Sequence, residues 1–539
     1  MKTKLFISFV ACLAASALMS SCSNEESTAT TNDQLTAFTG GIVTEVPMER
    51  VQIGTSDSST VVPGFTTRTS MNRNGIGGQG AFLWEPNDVI YVEDDNKKLC
   101  EGKSTITNAV ARTTFLVDGS YTGKSQYDVY YCGTYYGAYQ KEVFIPTYQT
   151  QVAFNNTKHF GAVGDCGVAK ATKTTVSGKS GYRFDLEHKA SYLCFLPYMA
   201  SKVQRANFRI KRIKITSNNI ISATYDLTES GLSNPGANQS KTITLEVGTD
   251  GLKLADQTTA TKSIKNSLYV VIAPGTHALK VEYTVLDAKN TAMRISKSYK
   301  SHNFGANKIY DIPVNLGVRH YSGHNYYMWD AAENYWSGHE WDSADPWQPT
   351  ELSARNDGYP KSKAADASRW YHEGEGSFEA SVNPLFKQLP NANEMGWYIQ
   401  VGDAHWDDST WWEVFGELHT GGLWLKKLSV IAQEMGREPS ALKLENPRGI
   451  SLLQKLDTYG MYPKSGKPEN SEIGKYFFLP ALGWYLNGVL GDLGVYGFYW
   501  SSSATPGNSF YAYHLYFNSR YLGVSSGDRY YGDVAQPLE

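Results

Sequence analysis

The stretch His277–Asp287, "HALKVEYTVLD", sets the fold class. Leu279, Val281, Tyr283 and Val285 occupy every second position, with Lys280, Glu282 and Thr284 between them. Successive side chains of a strand point to opposite faces, so this stretch predicts a strand with one buried and one wet face. Thr242–Val247, "TITLEV", repeats the pattern with Ile243, Leu245 and Val247. Asn207–Thr216, "NFRIKRIKIT", varies it. Phe208 and Ile210 share a face, and Ile213 and Ile215 continue out of phase, so one inserted residue predicts a β-bulge. Turn clusters such as "ESGLSNPGANQS" (Glu229–Ser240) separate these segments. From Ile42 to Val318 the reading is all-β.

Composition agrees. A chain of 539 residues has room for roughly three or four domains. Its net charge of -3 leaves no basic footprint, which argues against nucleic acid as a partner. The 36 tyrosines, 13 tryptophans and 49 glycines suit short strands and long turns better than helical bundles.

The N-terminus is a targeting segment. "MKTKLFISFVACLAASALMSSC" places two lysines before an apolar run from Leu5 to Met19, then small residues before Cys22. This is a secretory signal, too short for a convincing membrane span. Leu18-Met19-Ser20-Ser21 before Cys22 resembles a bacterial lipobox. The resemblance implies that residues 1–21 are removed and that Cys22 is acylated, palmitate included, anchoring the chain to the outer membrane. "SNEE" after Cys22 resembles the surface-export signal of such lipoproteins. Residues 22–41 read as a flexible polar tether. Cys100, Cys132, Cys166 and Cys194 could form two bridges in three connectivities, among which spacing does not choose. Their spacing is not that of a zinc site.

Two family resemblances order the rest. "TRTS" (Thr67–Ser70) before "FLWEPNDVIYV", then "FDLEHKASYLCFLPY" (Phe184–Tyr198), then "NFGANKIYDIPVNL" (Asn303–Leu316) resemble in order the strands of fimbrillins, the pilin subunits of gut and oral anaerobes. The polar stretch Lys170–Gly181, "KATKTTVSGKSG", marks the expected boundary between two fimbrillin-type β-domains, 42–178 and 179–318. After Tyr321 the composition shifts to Trp, Asp and Glu, as in "YYMWDAAENYWSGHEWDSADPW". Asn391 and Glu394 have capping-box spacing, and Trp424, Leu428, Ile431 and Met435 share a helical face closed by Gly436. "LPNANEM", "FFLPALGWY", "YGFYWSSS", "AYHLYF" and "DRYYGDVAQPLE" resemble the Fibrobacter-type major paralogous domain, related to C-type-lectin-like folds. Ala535-Gln536 replaces that family's Val-Arg before Pro537. The expected fold is therefore mainly β: two fimbrillin-type β-domains, then an α+β C-type-lectin-like domain over 319–539.

The fimbrillin resemblance implies assembly by donor-strand exchange with other fimbrillin subunits. A protease cuts after a basic residue, here Arg50 or Arg68, and a neighbour's strand fills the groove that opens. The neighbours' donor is their C-terminal strand, but here residues 319–539 follow it. Such a subunit accepts a donor without giving one, which places it at a fibre tip as an adhesin for a glycan or a host or bacterial surface protein. A stalk or anchor fimbrillin and a surface enzyme acting on polysaccharide are the alternatives.

Chemical motifs are sparse. "EPND" (Glu85–Asp88) is a calcium-lectin triplet in sequence, but it sits in the first β segment and reads as a turn. "VGDAHWDDSTWWEVFGE" gathers Asp403, Asp407 and Asp408 as weak metal candidates without EF-hand spacing; a turn in which Asp408 or Ser409 caps a following helix is the alternative. No Gly-x-Ser-x-Gly elbow is present, and no cofactor or enzymatic activity is expected. In "FYAYHLYFNS", Tyr511, Tyr513, Leu515 and Phe517 are expected in the core with Trp500, and His514 as an ordinary strand residue. Recognition then falls to loops, with Trp484, Tyr485, Asn487, Asn508, Tyr521 and Arg529 as candidate contacts.

Overall fold

The computed structural model describes residues 35–42, 47–51, 61–65, 70–73, 80–133, 141–176, 178–259 and 263–539. Cys22 and Arg68 lie outside them, and Arg50 falls on the strand Pro47–Val51, paired antiparallel with Val61–Phe65. The protein is mainly β.

The first body is a closed barrel of seven strands: β1 (Thr36–Ile42), β2 (Val89–Glu93), β3 (Leu99–Lys103), β4 (Thr113–Val117), β5 (Gln126–Tyr131), β6 (Gly167–Val176) and β7 (Lys179–His188), in the order β1-β7-β6-β5-β2-β3-β4. Closure removes the sheet edges. Its interior is aromatic. Trp84 lies edge-on to Phe115 at 4.9 Å and to Tyr131 at 5.5 Å, both buried with it. Two expectations are corrected here. Thr36–Ile42 is not part of a tether: β1 runs parallel to β7 and antiparallel to β4, so seven residues close the barrel. The expected boundary at 178/179 falls inside the β6–β7 hairpin, whose strands pair from Gly167↔His188 to Val176↔Lys179. The polar Lys170–Gly181 stretch is an exposed hairpin end and not a linker.

Across from the barrel, β8 (Ser191–Tyr198) is buried along nearly its whole length. Later strands complete its surroundings: β9 (Arg209–Ser217), β10 (Thr242–Val247), β11 (Leu268–Ile272), β12 (Gly275–Leu286), β13 (Ala292–Phe304) and β14 (Lys308–Asn315). β8 lies between antiparallel β11 and parallel β14. Leu193 and Phe195 face the core shared with β9, β10 and β12; Tyr192, Cys194 and Leu196 face a second core with Phe82, Phe160 and Tyr269. A strand covered on both faces reads as a continuous apolar run, as "SYLCFL" does. The predicted bulge is present: the β9–β12 register shifts between Ile210 and Arg212. Glu142–Ile145 and Tyr148–Gln151 pair with this second body, although their sequence position precedes the barrel's β6.

Cys100, Cys132, Cys166 and Cys194 are free and buried, so neither expected bridge forms among them. Burial raises the thiol of Cys132 to about 12, and also raises those of Cys166 and Cys194. Cys194 accepts from Arg73, whose guanidinium forms a two-pronged pair with Asp311 of β14 at 2.6 and 2.7 Å, both side chains buried.

The C-terminal region begins at β15 (Arg319–Tyr321), parallel to β16 (Trp412–Val414). A hairpin of β17 (Trp484–Leu486) and β18 (Val489–Gly491) precedes β19 (Gly497–Ala504), β20 (Tyr511–Asn518), β21 (Tyr521–Asp528) and β22 (Asp533–Val534). The last four share one sheet, ordered β22-β19-β20-β21. The helix Ala392–Val401 carries the predicted capping box: Asn391 accepts from the Glu394 amide at 3.0 Å, and Glu394 accepts from the Asn391 amide at 2.9 Å. The second predicted helix is shorter than expected. Trp424 lies on the strand Gly422–Lys426, the helix spans Leu428–Glu434, and Met435 is exposed. Tyr513, Leu515 and Phe517 are fully buried, whereas Tyr511 is half-buried. Trp500 packs on the opposite side from them, with Trp329, Phe386 and Ala512. The β19–β20 register is irregular between Trp500 and Ala504, which a strict two-residue alternation does not anticipate.

Candidate recognition site

The six sequence-predicted contacts divide sharply. Tyr485 is fully buried; its ring lies 4.8 Å from Tyr326 and 5.7 Å from Tyr335, and its hydroxyl donates to the Pro349 carbonyl. Arg529 is also fully buried. Its guanidinium lies 4.9 Å from the rings of both Trp329 and Phe378 and donates to the carbonyls of Tyr511, His372 and Gly374. Burial lowers its pKa. These two residues hold the frame and do not present themselves to a ligand. Asn508 sits on an exposed turn and accepts from the Phe510 amide at 2.9 Å.

Trp484 and Tyr521 join a surface that the strand pattern half disclosed. Trp484 lies 4.7 Å from Tyr531 and 5.0 Å from Phe498; Phe498 lies 5.1 Å from Tyr516, and Tyr516 5.5 Å from Tyr521. Each of these rings is at least partly exposed. They form a continuous aromatic strip that runs from the β17–β18 hairpin onto the last sheet.

Asn487 stands at the tip of the β17–β18 hairpin, with φ of 49°. There it meets a cavity of about 250 Å³ walled by Tyr335, Tyr359, Lys361, Trp370 and Tyr530. The cavity is rigidly built. The amides of Ser353 and Asn356 donate to the carbonyls of Leu490 and Gly488, each at 3.1 Å, and Arg355 bridges Val489, so the segment Ser353–Asn356 is tied to the hairpin. Gly488 has φ of 76°, and a Cβ there would stand 2.1 Å from the Asn356 oxygen; only glycine allows this approach. Arg369 donates to the carbonyls of Tyr335 and Gly358, fixing two walls to each other. The sequence shows a shift to Trp, Asp and Glu after Tyr321, but it singles out none of these five wall residues. Four of them come from the long irregular segment between Tyr327 and Phe386 and the fifth, Tyr530, from the turn between β21 and β22, so composition is the only signal.

Of the three metal candidates, Asp408 is exposed and the other two are held by the protein itself. Asp403 accepts from Lys464 and Tyr476, both at 2.6 Å; burial pushes its pKa up, but these bonds outweigh it and bring it to about 2. Buried Asp407 accepts from Ser409, Thr410 and Trp424. The turn therefore closes on Asp407, not on Asp408 or Ser409, and leads into strand β16 instead of a helix. No group of three metal-type ligands occurs among the described residues. "EPND" is a turn: Asn87 has φ of 72° and Asp88 accepts from the Glu85 amide at 2.7 Å.

His514 is more than an ordinary strand residue. Its Nδ1 contacts Asp533 at 2.7 Å and its Nε2 contacts Ser525 Oγ at 2.9 Å. Asp533 is fully buried, and burial raises its pKa against the opposing pull of His514. The order resembles a Ser–His–Asp triad. Ser525, however, lies in register opposite His514 within two paired antiparallel strands, not on the sharp turn that exposes a hydrolase nucleophile. The chain Asp533–His514–Ser525 fastens β22 to β20 and β21 across the intervening β19. The serines of "WSSS" are also engaged, Ser502 and Ser503 both donating to Glu379.

No protein-family model and no curated protein matches the chain. Among solved structures, a candidate cell adhesion protein from Bacteroides ovatus is 10% identical, with 50% of this chain and 92% of that one covered and a TM-score of 0.31. A fimbrial protein from the same species is 11% identical, covering 91% and 98%, with a TM-score of 0.24. A fimbrial protein from Bacteroides vulgatus is 11% identical, covering 44% and 89%, at 0.21. At such scores these likenesses carry no argument about this chain, and the functional reading rests on its own strands.

Proposed function

We propose that this chain is a fimbrial tip subunit, a surface lipoprotein that accepts a donor strand from the next subunit and adheres through residues 319–539, folded as a C-type-lectin-like domain. The observation that carries the reading is the confinement of β14. All eight of its residues pair with β8. Leu316 then donates to the Tyr198 carbonyl, and Val318 is gripped at both backbone atoms by the Gln204 side chain, at 2.8 and 3.2 Å. The next residue, Arg319, already belongs to β15 of the C-terminal region. Only Leu316–Val318 separate the two, so β14 cannot swing out to fill another subunit's groove.

The acceptor side has a matching feature. Both Arg50 and Arg68 lie after β1 in sequence, so a cut at either leaves β1 as a separate peptide. Its departure would open a groove between β4 and β7 with the Phe38 site empty. A donor strand laid there would restore the ladder.

Immunogold labelling of assembled fimbriae tests this: gold is expected at fibre ends, and labels distributed along shafts would refute it. A chain ending at Val318 is expected to assemble but not to adhere. A second reading, a surface hydrolase, has the Ser525–His514–Asp533 contacts in its favour. A fluorophosphonate probe decides it, since labelling lost in Ser525→Ala would establish an activated serine.

A further inference from the structure

We propose that the cavity at the β17–β18 tip binds a single saccharide ring bearing a carboxylate. This rests on the recognition reading above and adds the chemical class of the ligand. Size comes first. At about 250 Å³ the cavity falls just below the range of roughly 300–1,000 Å³ that takes drug-sized ligands, so it suits one ring and not an extended chain.

Wall chemistry comes next. Tyr359, Trp370 and Tyr530 offer flat apolar faces with polar edges, which fit a pyranose whose C–H face is apolar and whose rim carries hydroxyls. The Asn487 amide stands at the mouth with both donors and an acceptor. A purely apolar guest would leave these groups unused.

Charge selects among saccharides. Lys361 lines the cavity, and beside the lining residues stand Arg355, 5.9 Å from the Tyr359 ring centroid, and Glu373, which accepts from Trp370. Arg355 pairs with Asp357 at 2.8 Å, and Lys363 with Glu373 at 3.0 Å, where Trp370 Nε1 also donates at 3.1 Å. Asp357 is lowered chiefly by Arg355, with Lys361 contributing least. Among the described residues lining the cavity Lys361 alone is charged, its ammonium 5.0 Å from the Tyr359 ring centroid. No carboxylate lines the cavity to answer it. A ligand carboxylate placed there gains a charge-assisted hydrogen bond while its ring covers the aromatic wall.

Hexuronates and N-acylneuraminates both supply this chemistry. The test titrates the full-length mature chain with glucuronate, N-acetylneuraminate, glucose and glucose 6-sulfate by saturation-transfer NMR. At least one carboxylated sugar is expected to bind about tenfold or more tightly than glucose, and which one binds names the source. Lys361→Met is expected to weaken it tenfold or more with the melting temperature unchanged, because Lys361 is exposed. Trp370→Phe, which keeps a ring, should retain binding that Trp370→Ala loses. Equal binding of glucose or the sulfate ester, or an unaltered Lys361→Met, overturns the inference. If no monosaccharide binds while the same preparation adheres to mucin, the inference fails and the adhesin reading stands. Failure of both assays removes both.

Discussion

Phe38→Ala offers a measurement of how firmly β1 is held. Phe38 is fully buried, stacked on Tyr182 at 4.9 Å and edge-on to Tyr121 at 5.0 Å. Truncating a buried Phe to Ala costs about 3–5 kcal/mol. In the intact chain that loss weakens the barrel. Once the chain is cut between β1 and the rest, the same loss falls wholly on the affinity of the leader peptide for its groove. At ~1.4 kcal/mol per tenfold, 3 kcal/mol accelerates leader release by about a hundredfold. The assay nicks parent and variant with an arginine-specific protease and follows loss of the leader by native mass spectrometry. Parent protein should keep its leader long after cleavage and exchange it slowly for an added donor peptide; Phe38→Ala should shed it quickly. After release the two remaining bodies are identical and must unfold alike. Release rates within about threefold of one another would refute the placeholder role of β1.

Removing either partner of the buried Arg73–Asp311 pair, by Arg73→Met or Asp311→Leu, should cost about 3–5 kcal/mol in urea unfolding, while the double variant costs far less than the sum. Acid should loosen the seam beneath the C-terminal region. Burial pushes His419 down to about 4, below its unfolded value near 6.5, so its contribution is present above pH 6.5 and lost as pH falls toward 4. Between pH 7 and 5 this removes about 2 kcal/mol, and His419→Phe, which keeps a ring against Trp412, should flatten that dependence in calorimetry. Asn391→Ala removes the cap of the helix Ala392–Val401 and should cost about 1 kcal/mol in thermal unfolding.

Local rules recovered what is local. The bulge in "NFRIKRIKIT" and the Asn391–Glu394 capping box are written in neighbouring residues and needed no knowledge of the fold. β1 is not legible in sequence because "TAFTGGI" is short, has two glycines, and becomes a strand only through partners in β4 and in β7, far along the chain. Gly40 shows the cost of that distance: a Cβ there would meet the Phe184 ring at 2.6 Å, a constraint invisible in sequence. The β6–β7 hairpin looked like a linker because its exposed end has a linker's composition. At the candidate site, Tyr485 and Arg529 had the right chemistry in the wrong place. The sequence does not say which side chains turn inward; partners distant along the chain decide that, Tyr326 and Tyr335 for Tyr485, and Trp329 and Phe378 for Arg529.

The confinement of β14 also has a mechanical side. Cargo held by the C-terminal region would drag on Arg319, hence along the axis of β14 and nearly parallel to β8. Eight register positions would then be loaded together in shear, and none could peel open ahead of the others. At the proposed fibre end such an arrangement would resist tearing under flow, because the grip would have to slide as one piece before it failed.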